Sequence, residues 1–447
     1  MLNQIDTVVQ RIGDLLWGWP LIGFIAGTGI VFTLALGFIQ IRYFTTAWGY
    51  LLQPEPGHKG AEISPLQAFM NTLSASVGNG SLAGMATAIY AGGPGAAFWV
   101  FLLGLISMPI RFAEVFCGTS VTARLSDGSV RGGTMAYIQQ APGGSFLVYI
   151  YMICCLWLTF FSGCAMQCQT MTGGLVQVTG FPAYLFAFLL FALVLYIVSG
   201  GSQRIMRLSD FIVPIKVIIF FIATAIAIIF HANSIVATVQ LIITYAFGKQ
   251  AISAGLLGYT MQNAIRFGVS RVSNATETGL GTAGILYGAT GSTHPMRSGL
   301  MSMITTFTSN LLVCFSLMFL IVMSGAWQSG LNGIAMTVAA YTTVFGFWGA
   351  TIVTIMSLMF GLGVLVAYAF IGRECWSFLT NGRYLTLYAI LYCAFALFGS
   401  LANVALIWNS IDIANAGLIL INLYALWMML PKMRAAVAAY RTTASRK

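Results

Sequence analysis

About eleven apolar segments, each long enough to cross a bilayer, follow one another from near Leu16 to near Leu430. Only 7% of the residues are charged, whereas a soluble domain has about 25%. The first segment is longer than the core of a signal peptide, which spans about 7 to 15 residues, so we expect it to be retained as a helix. The sequence predicts an all-α polytopic membrane protein, with one transmembrane domain covering residues 1–447.

Basic residues are concentrated in alternate loops. If the N-terminus is outside and the chain has about eleven spans, the loops with Arg42, Arg204 and Arg383 and the basic tail 431–447 all face the cytoplasm. This is the bias of the positive-inside rule. Topology and contact with anionic membrane lipid therefore account for the net charge of +10, and we expect no nucleic-acid partner.

Cysteine, histidine and acidic residues form no catalytic or metal-binding pattern. The eight cysteines lie in or beside apolar segments without a C-x-x-C pair, and the three histidines are far apart along the chain. No paired acids or histidine-rich cluster occurs within the spans. The sequence predicts no metal site, no cofactor other than a coupling ion, and no enzyme.

A glycine-rich polar stretch interrupts the second span, which begins near Ser64. It contains Gly78, Asn79, Gly80 and Ser81 at a position that should lie at membrane depth. A helix can break there only where protein or a water-filled cavity surrounds the freed amides and carbonyls. Such discontinuous helices hold substrate and ion in secondary transporters, so we predict the substrate site here.

A second polar, glycine-rich break lies in the seventh span. It includes Asn274, Thr276, Glu277 and Thr278. The two breaks lie five spans apart, and an odd offset reverses topology, which predicts inverted repeats over 64–230 and 252–430, preceded by the first span at 16–40. For a single glycine group, close packing of small residues is the better explanation, but paired polar breaks favour a site.

Several motifs resemble one transporter family. The string Val77-Gly78-Asn79-Gly80-Ser81-Leu82-Ala83-Gly84 precedes Gly92-Gly93-Pro94-Gly95-Ala96, and Phe112-Ala113-Glu114, Arg131-Gly132-Gly133, Val213-Pro214 and Glu277-x-Gly279-Leu280-Gly281 follow in order. The chain resembles the alanine or glycine:cation symporters of the amino acid/polyamine/organocation superfamily. The resemblance implies a LeuT-type fold of five plus five inverted helices after one extra helix. It also implies sodium-driven uptake of small neutral amino acids across a prokaryotic inner membrane.

The substrate positions depart from the family pattern. The family usually has Gly-Thr-Gly-Asn where this chain has Gly78-Asn79-Gly80-Ser81. Where the family has Phe-Ser-Asn-Glu-Ala, this chain has Asn274-Ala275-Thr276-Glu277-Thr278. We expect the loss of the aromatic residue to make the pocket larger or more polar. Gln167 matches a glutamine that the family places at the site. These residues form the predicted substrate site, and the choice of amino acid stays open.

The ion positions depart more strongly. Members of the family carry two adjacent hydroxyl residues where this chain has Gly363 and Val364, and a small hard cation needs such oxygen ligands. Lys216 stands where the family has an apolar residue. In this it is similar to proton-coupled transporters of the wider superfamily, in which a lysine ammonium replaces the sodium ion. The resemblance implies that the ammonium lies beside the first break, at Val77. Burial disfavours a charged amine, which makes proton release accessible. The alternative is a lysine that extends to a membrane surface.

The sequence thus predicts a secondary symporter that imports a small neutral amino acid, with proton coupling through Lys216 favoured over sodium coupling. A sodium-coupled symporter is the alternative, and an uncoupled channel or facilitator is the alternative of another class. Arg111 and Glu114, three residues apart in the third span, are interpreted as a structural ion pair. The oligomeric state is open.

Overall fold

The computed structural model of the chain describes residues 16–53, 63–121, 123–124, 130–247, 261–402 and 404–444. Nearly all of these residues are helical. Their one other regular element is a short antiparallel strand pair, β1 (Ala123–Arg124) and β2 (Val130–Arg131). The predicted all-α class is confirmed at this level. The predicted turn at 54–57, the start of the second repeat at 252–260 and the end of the tail at 445–447 lie outside the described residues.

The first half of the chain forms twelve described helices, several of them joined end to end. They are α1 (Trp19–Ala35), α2 (Ile39–Arg42), α3 (Phe44–Leu52), α4 (Pro65–Ser76), α5 (Met85–Gly92), α6 (Ala96–Ser120), α7 (Thr134–Gln140), α8 (Gly144–Leu158), α9 (Met166–Thr179), α10 (Ala183–Ser199), α11 (Gly201–Phe230) and α12 (Ile235–Phe247). A π-helical turn at Gly80–Gly84 leads into α5, and another at Thr159–Ala165 joins α8 to α9.

The second half contributes eight described helices. They are α13 (Met261–Thr276), α14 (Thr282–Gly288), α15 (Pro295–Thr306), α16 (Phe315–Met323), α17 (Ile334–Phe345), α18 (Trp348–Thr380), α19 (Leu385–Leu401) and α20 (Val404–Ala444). A third π-helical segment, Phe307–Cys314, joins α15 to α16. Short 3₁₀ turns lie at Ala232–Ser234 and Ala326–Gln328.

Six described helical segments are long and apolar enough to cross a membrane. They are Ala96–Ser120, Gly144–Thr179, Arg207–Phe230, Pro295–Met323, Trp348–Thr380 and Ile411–Thr442. Large apolar side chains cover outward-facing surfaces, for example Phe188 on α10 and Ile222 on α11, which are 68% and 58% exposed. Exposure of many such apolar surfaces to water is unfavourable, whereas their contact with lipid is favourable. The predicted multi-pass membrane protein is confirmed.

Two apolar helices lie where the sequence predicted no span. Helices α12 and α17 contain 13 and 12 residues, which gives lengths of about 20 Å. The hydrocarbon core of a bilayer is about 30 Å thick, so neither helix crosses it alone. The predicted tail also differs, because α20 continues past Leu430 and includes residues 431–444.

The two predicted breaks lie at adjoining positions in the fold. Helix α4 ends at Ser76 and the chain turns helical again at Asn79, while α13 ends at Thr276 and α14 begins at Thr282. Helix α13 packs on α5 and on the π turn before it. A methyl group added at Gly80 would lie 3.7 Å from the Cα atom of Ala275. The breaks therefore line one region of the core.

Candidate functional site

The first break follows from strong local signals. Ser64 and Gln67 form a capping box at the start of α4, with Pro65 at its first position. The helix then ends at Ser76, and Val77 adopts a non-helical conformation with φ −122° and ψ 81°. A side chain at Gly78 would overlap Val364 of α18. The glycine therefore permits close approach between the break and α18.

Lys216 of α11 points into this break. Its side chain is 0% exposed. Its Nζ donates hydrogen bonds to the Val77 carbonyl at 2.7 Å and to Ser74, at 2.9 Å for the carbonyl and 3.3 Å for Oγ. The Phe360 ring centroid lies 5.7 Å from Nζ. The alternative in which this lysine extends to a surface is wrong.

Gly363 of α18 leaves the space that the Lys216 ammonium occupies. A methyl group added there would lie 2.5 Å from Lys216 Nζ and 2.7 Å from Ser74 Oγ. Val364, the next residue, places its side chain against Gly78. Neither residue has a side-chain oxygen. The structure thus brings Val77, Lys216, Gly363 and Val364 together at the first break.

Gln167 of α9 supports the C-terminal side of the first break, where the next helical segment begins. Its Oε1 accepts a hydrogen bond from the Asn79 amide at 3.2 Å, and its Nε2 donates to the Ser162 carbonyl at 3.0 Å. The side-chain amide of Asn79 is fully buried, and both its polar atoms lack a hydrogen-bond partner among the described residues. Buried polar groups are usually satisfied. This amide is therefore available to a ligand, next to the equally buried Ser81.

The second break has a strained, glycine-rich backbone. Glu277 adopts φ +56°, and Gly279 and Gly281 adopt φ +94° and +83°. The φ value of Glu277 lies in the left-handed region, which non-glycine residues rarely occupy. The Glu277 carboxylate accepts a hydrogen bond from Thr282 Oγ1 at 3.0 Å. Its side chain is 5% exposed and also interacts with the Tyr368 hydroxyl.

The predicted threonines of the second break use their hydroxyls within the protein. Thr276 Oγ1 donates to the Val272 carbonyl at 2.9 Å. Thr278 Oγ1 lies 3.2 Å from Thr306 Oγ1 and accepts from Arg111. Asn274 lies in the last turn of α13. The structure brings these residues to the site region but gives the two hydroxyls internal partners.

Arg111 and Glu114 pair as predicted, yet they also reach the second break. Arg111 Nη1 lies 3.0 Å from Glu114 Oε2, and the two side chains are 1% and 0% exposed. Arg111 Nη2 donates to the Thr276 carbonyl at 2.7 Å. Glu114 Oε1 accepts from the amides of Gly279 and Gly281 at 2.8 and 2.9 Å. The pair therefore joins α6 to both sides of the break.

Further polar residues around this break were missed by the sequence analysis. Asn422 Nδ2 donates to Glu114 Oε1 at 3.0 Å and to the Gly279 carbonyl at 2.8 Å. Tyr151 donates to the Leu280 carbonyl, and Thr134 to the Gly281 carbonyl. Asn422 had a signal, because a carboxamide inside an apolar span needs a partner. Among the described residues, no three histidine, cysteine or acidic side chains are placed to hold a metal ion.

Comparison with known proteins gives one consistent family. The profile described as the sodium:alanine symporter family matches residues 2–447. An uncharacterized transporter of Haemophilus influenzae is 34% identical, over 94% of this chain and 93% of its own. The sodium/alanine symporter AgcS of Methanococcus maripaludis is 27% identical, over 95% and 94%. The putative sodium/proton-dependent alanine carrier protein YrbD of Bacillus subtilis is 27% identical, over 94% and 89%.

Proposed function

Because the chain belongs to the sodium:alanine symporter family, whose members are cation-coupled amino acid symporters and not enzymes, we propose that it imports a small neutral amino acid with protons. The names of two relatives, an alanine symporter and an alanine carrier, support this substrate class. Lys216 is the coupling group. The protein acts in the plasma membrane, with its N-terminus outside and its C-terminus in the cytoplasm.

The proposed architecture is a LeuT-type inverted repeat. Helix α1 is the extra helix, residues 64–230 form the first repeat, and residues 252–430 form the second. Each repeat has one discontinuous helix near its start, and the two breaks adjoin each other. This arrangement supports alternating access, in which one group of helices rocks around a central site.

The observation that carries the ion assignment is the position of the Lys216 ammonium. It makes hydrogen bonds to the Ser74 carbonyl in the last turn of α4 and to the Val77 carbonyl of the first break, and it is fully buried between α4 and α18. A bound cation would need the same carbonyls together with side-chain oxygens from α18. Gly363 and Val364 supply none, so the ammonium takes the cation's place.

Coupling of proton movement to transport then follows from the protonation state of Lys216, which sets how many hydrogen bonds its nitrogen can donate. The ammonium has three donors, which match its three contacts with Ser74 and Val77. When the proton leaves for the cytoplasm, a neutral amine keeps two donors and loses its attraction to the carbonyl dipoles. The connection between α11 and the first break weakens, which favours release of the substrate. Reprotonation from outside restores the connection.

The substrate carboxylate is placed at Gly78–Ser81. The amides there begin a helical segment, whose N-terminal end attracts negative charge. The unpartnered Asn79 side chain and the Ser81 hydroxyl add donors around it, and Gln167 holds the Asn79 backbone amide. The ammonium of the substrate faces the second break near Asn274 and the Glu277 carboxylate, beside the Thr276 carbonyl that Arg111 already caps.

Uptake into proteoliposomes tests this proposal. We expect labelled alanine to accumulate under an inward proton gradient without sodium, up to about 10-fold for one pH unit at one proton per substrate. Lys216→Met should abolish accumulation, because it removes the titrating amine but keeps the side-chain volume. Lys432→Met, at an exposed position of α20, is the control.

Two results would contradict proton coupling. Accumulation that requires sodium and persists in Lys216→Met would mean that sodium binds elsewhere in the protein. Downhill flux without accumulation under either gradient would indicate a channel or facilitator.

A further inference from the structure

We infer that Arg111, Glu114 and Asn422 are positioning residues, which hold the two half-helices of the second break and fill both helix ends with the protein's own charges. A substrate carboxylate then has only the first break to bind. The inference rests on the proposed transport of an amino acid, and it concerns residues that lie on α6 and α20, outside either break.

The C-terminal end of α13 is capped by Arg111. The guanidinium donates to the carbonyl of Thr276, the last residue of the helix, at 2.7 Å. It also donates to Thr278 Oγ1 at 3.3 Å and to Thr306 Oγ1 at 3.4 Å. A cation at a helix C-terminus is favourable. Arginine can make these bonds at once because its donors form a rigid fork, which lysine lacks.

The N-terminal side of α14 is capped by Glu114. One carboxylate oxygen accepts three hydrogen bonds, from Gly279 and Gly281 amides and from Asn422 Nδ2, at 2.8, 2.9 and 3.0 Å. Tyr137 fixes the orientation of Asn422 by donating to its Oδ1 at 2.5 Å. Two converging amides form a place for an anion. In this protein Glu114 already occupies it, so a substrate carboxylate cannot.

The first break differs in this respect. Its carbonyl end is filled by Lys216, but no charged side chain among the described residues hydrogen-bonds to Gly78, Asn79, Gly80 or Ser81. The unpartnered, fully buried Asn79 amide lies there. Three of the four helix ends at the breaks thus carry charges of the protein itself. The fourth is left for the carboxylate of the substrate.

The burial of the pair also points to positioning. Arg111 and Glu114 are 1% and 0% exposed, and a buried ion pair adds little stability over apolar residues of similar size. Removal of one partner leaves an uncompensated charge and is strongly destabilising. The double variant Arg111→Met/Glu114→Gln avoids that problem because it removes both charges together.

Transport kinetics of the double variant test the inference. We expect normal membrane expression and a monodisperse purified protein, a KM for alanine at least 10-fold higher than in the wild type, and a Vmax within about 3-fold, because the pocket is poorly shaped while the coupling group is intact. Tyr388→Phe, which removes a buried hydrogen bond to the Ala369 carbonyl far along α18, is the control. It should leave KM unchanged.

Hydrogen exchange gives a second readout that does not depend on transport. In Glu114→Ala, the amides of Gly279 and Gly281 lose their acceptor and should exchange at least 10-fold faster. Formate should slow their exchange again by binding in the vacated place, and it should lower KM if the variant transports; chloride at equal ionic strength should do neither.

The inference is overturned if the double variant keeps the wild-type KM, or if exchange at Gly279 and Gly281 in Glu114→Ala matches the wild type. A wild-type protein that accumulates no amino acid would refute the proposed function instead. The exchange experiment would still decide whether Glu114 holds the second break.

Discussion

The absence of a side chain at Gly363 allows the Lys216 ammonium to lie beside the first break. A methyl group added at Gly363 of α18 would lie 2.5 Å from Lys216 Nζ. The ammonium therefore occupies the space that a side chain at position 363 would need. A serine or threonine at 363 would bring an oxygen ligand to the first break, but it would also overlap the ammonium. The hydroxyl and the lysine therefore exclude each other.

This exclusion predicts the behaviour of Gly363→Ser. We expect the single variant to lose transport and to lower the free energy of unfolding by about 1 to 3 kcal/mol, the usual cost of overpacking. Adding Lys216→Ala should restore much of the stability, because the space becomes free. Melting temperatures of the two single variants and the double variant form the cycle that measures this coupling.

Gly173→Ser on α9 is the control, since nothing lies within 4 Å of a methyl group there. If Gly363→Ser and Lys216→Ala had additive effects on stability, direct contact between the two positions would be refuted.

At the scale of elements, π-helical segments adjoin the site. Gly80–Gly84 follows the first break directly, and Thr159–Ala165 precedes Gln167 on α9. A π turn leaves local carbonyls and side chains out of the regular helical pattern and frequently marks a functional position. Here Gln167 Nε2 donates a hydrogen bond to the Ser162 carbonyl, and Gln167 Oε1 accepts one from the Asn79 amide. The π turn thereby orients the first break through one side chain.

We predict that Gln167→Met raises KM for alanine by about 10-fold, which corresponds to about 1.4 kcal/mol of lost binding. The substitution keeps the side-chain volume but removes both hydrogen bonds, so the Asn79 amide loses its support. Concentration-dependent uptake by proteoliposomes provides the measurement.

Gln169→Met lies two residues further along the same helix, is partly exposed, and should leave KM unchanged. An equal rise in both variants would show that polarity of α9, and not support of the first break, matters for binding.

For the molecule as a whole, we predict the orientation in the membrane from the distribution of charge. The C-terminal part of α20 carries Lys432, Arg434 and Arg441, and positive residues near a span are retained in the cytoplasm. Helix α20 also packs along α1, where Trp427 Nε1 donates to Thr28 Oγ1 at 2.9 Å. The first and last helices are therefore adjacent in the fold.

A reporter fused after Lys447 tests the orientation. We expect a fluorescent protein that matures only in the cytoplasm to be bright, and alkaline phosphatase, which is active only outside, to be inactive at the same position. The reverse pattern would contradict the proposed orientation of all the helices. Fusions of both reporters to the N-terminus should give the opposite result.

The membrane class, the two breaks and the family were determined by the sequence alone, because each depends on local features. A span is recognised from about 20 consecutive residues, and a break from glycine and polar residues within one span. The family assignment is confirmed along residues 2–447. The contact between Lys216 and Val77 came from a resemblance to other proteins, and the structure shows its geometry.

Only the tertiary structure decided which distant side chains meet. Arg111 contacts Thr276 across 165 residues, and Asn422 contacts Glu114 across 308. Along the sequence, Arg111 and Glu114 are merely neighbours on one helix face, which predicts an ion pair and nothing more. Hydropathy and spacing describe each helix by itself, whereas these contacts depend on how α6, α13, α14 and α20 pack together.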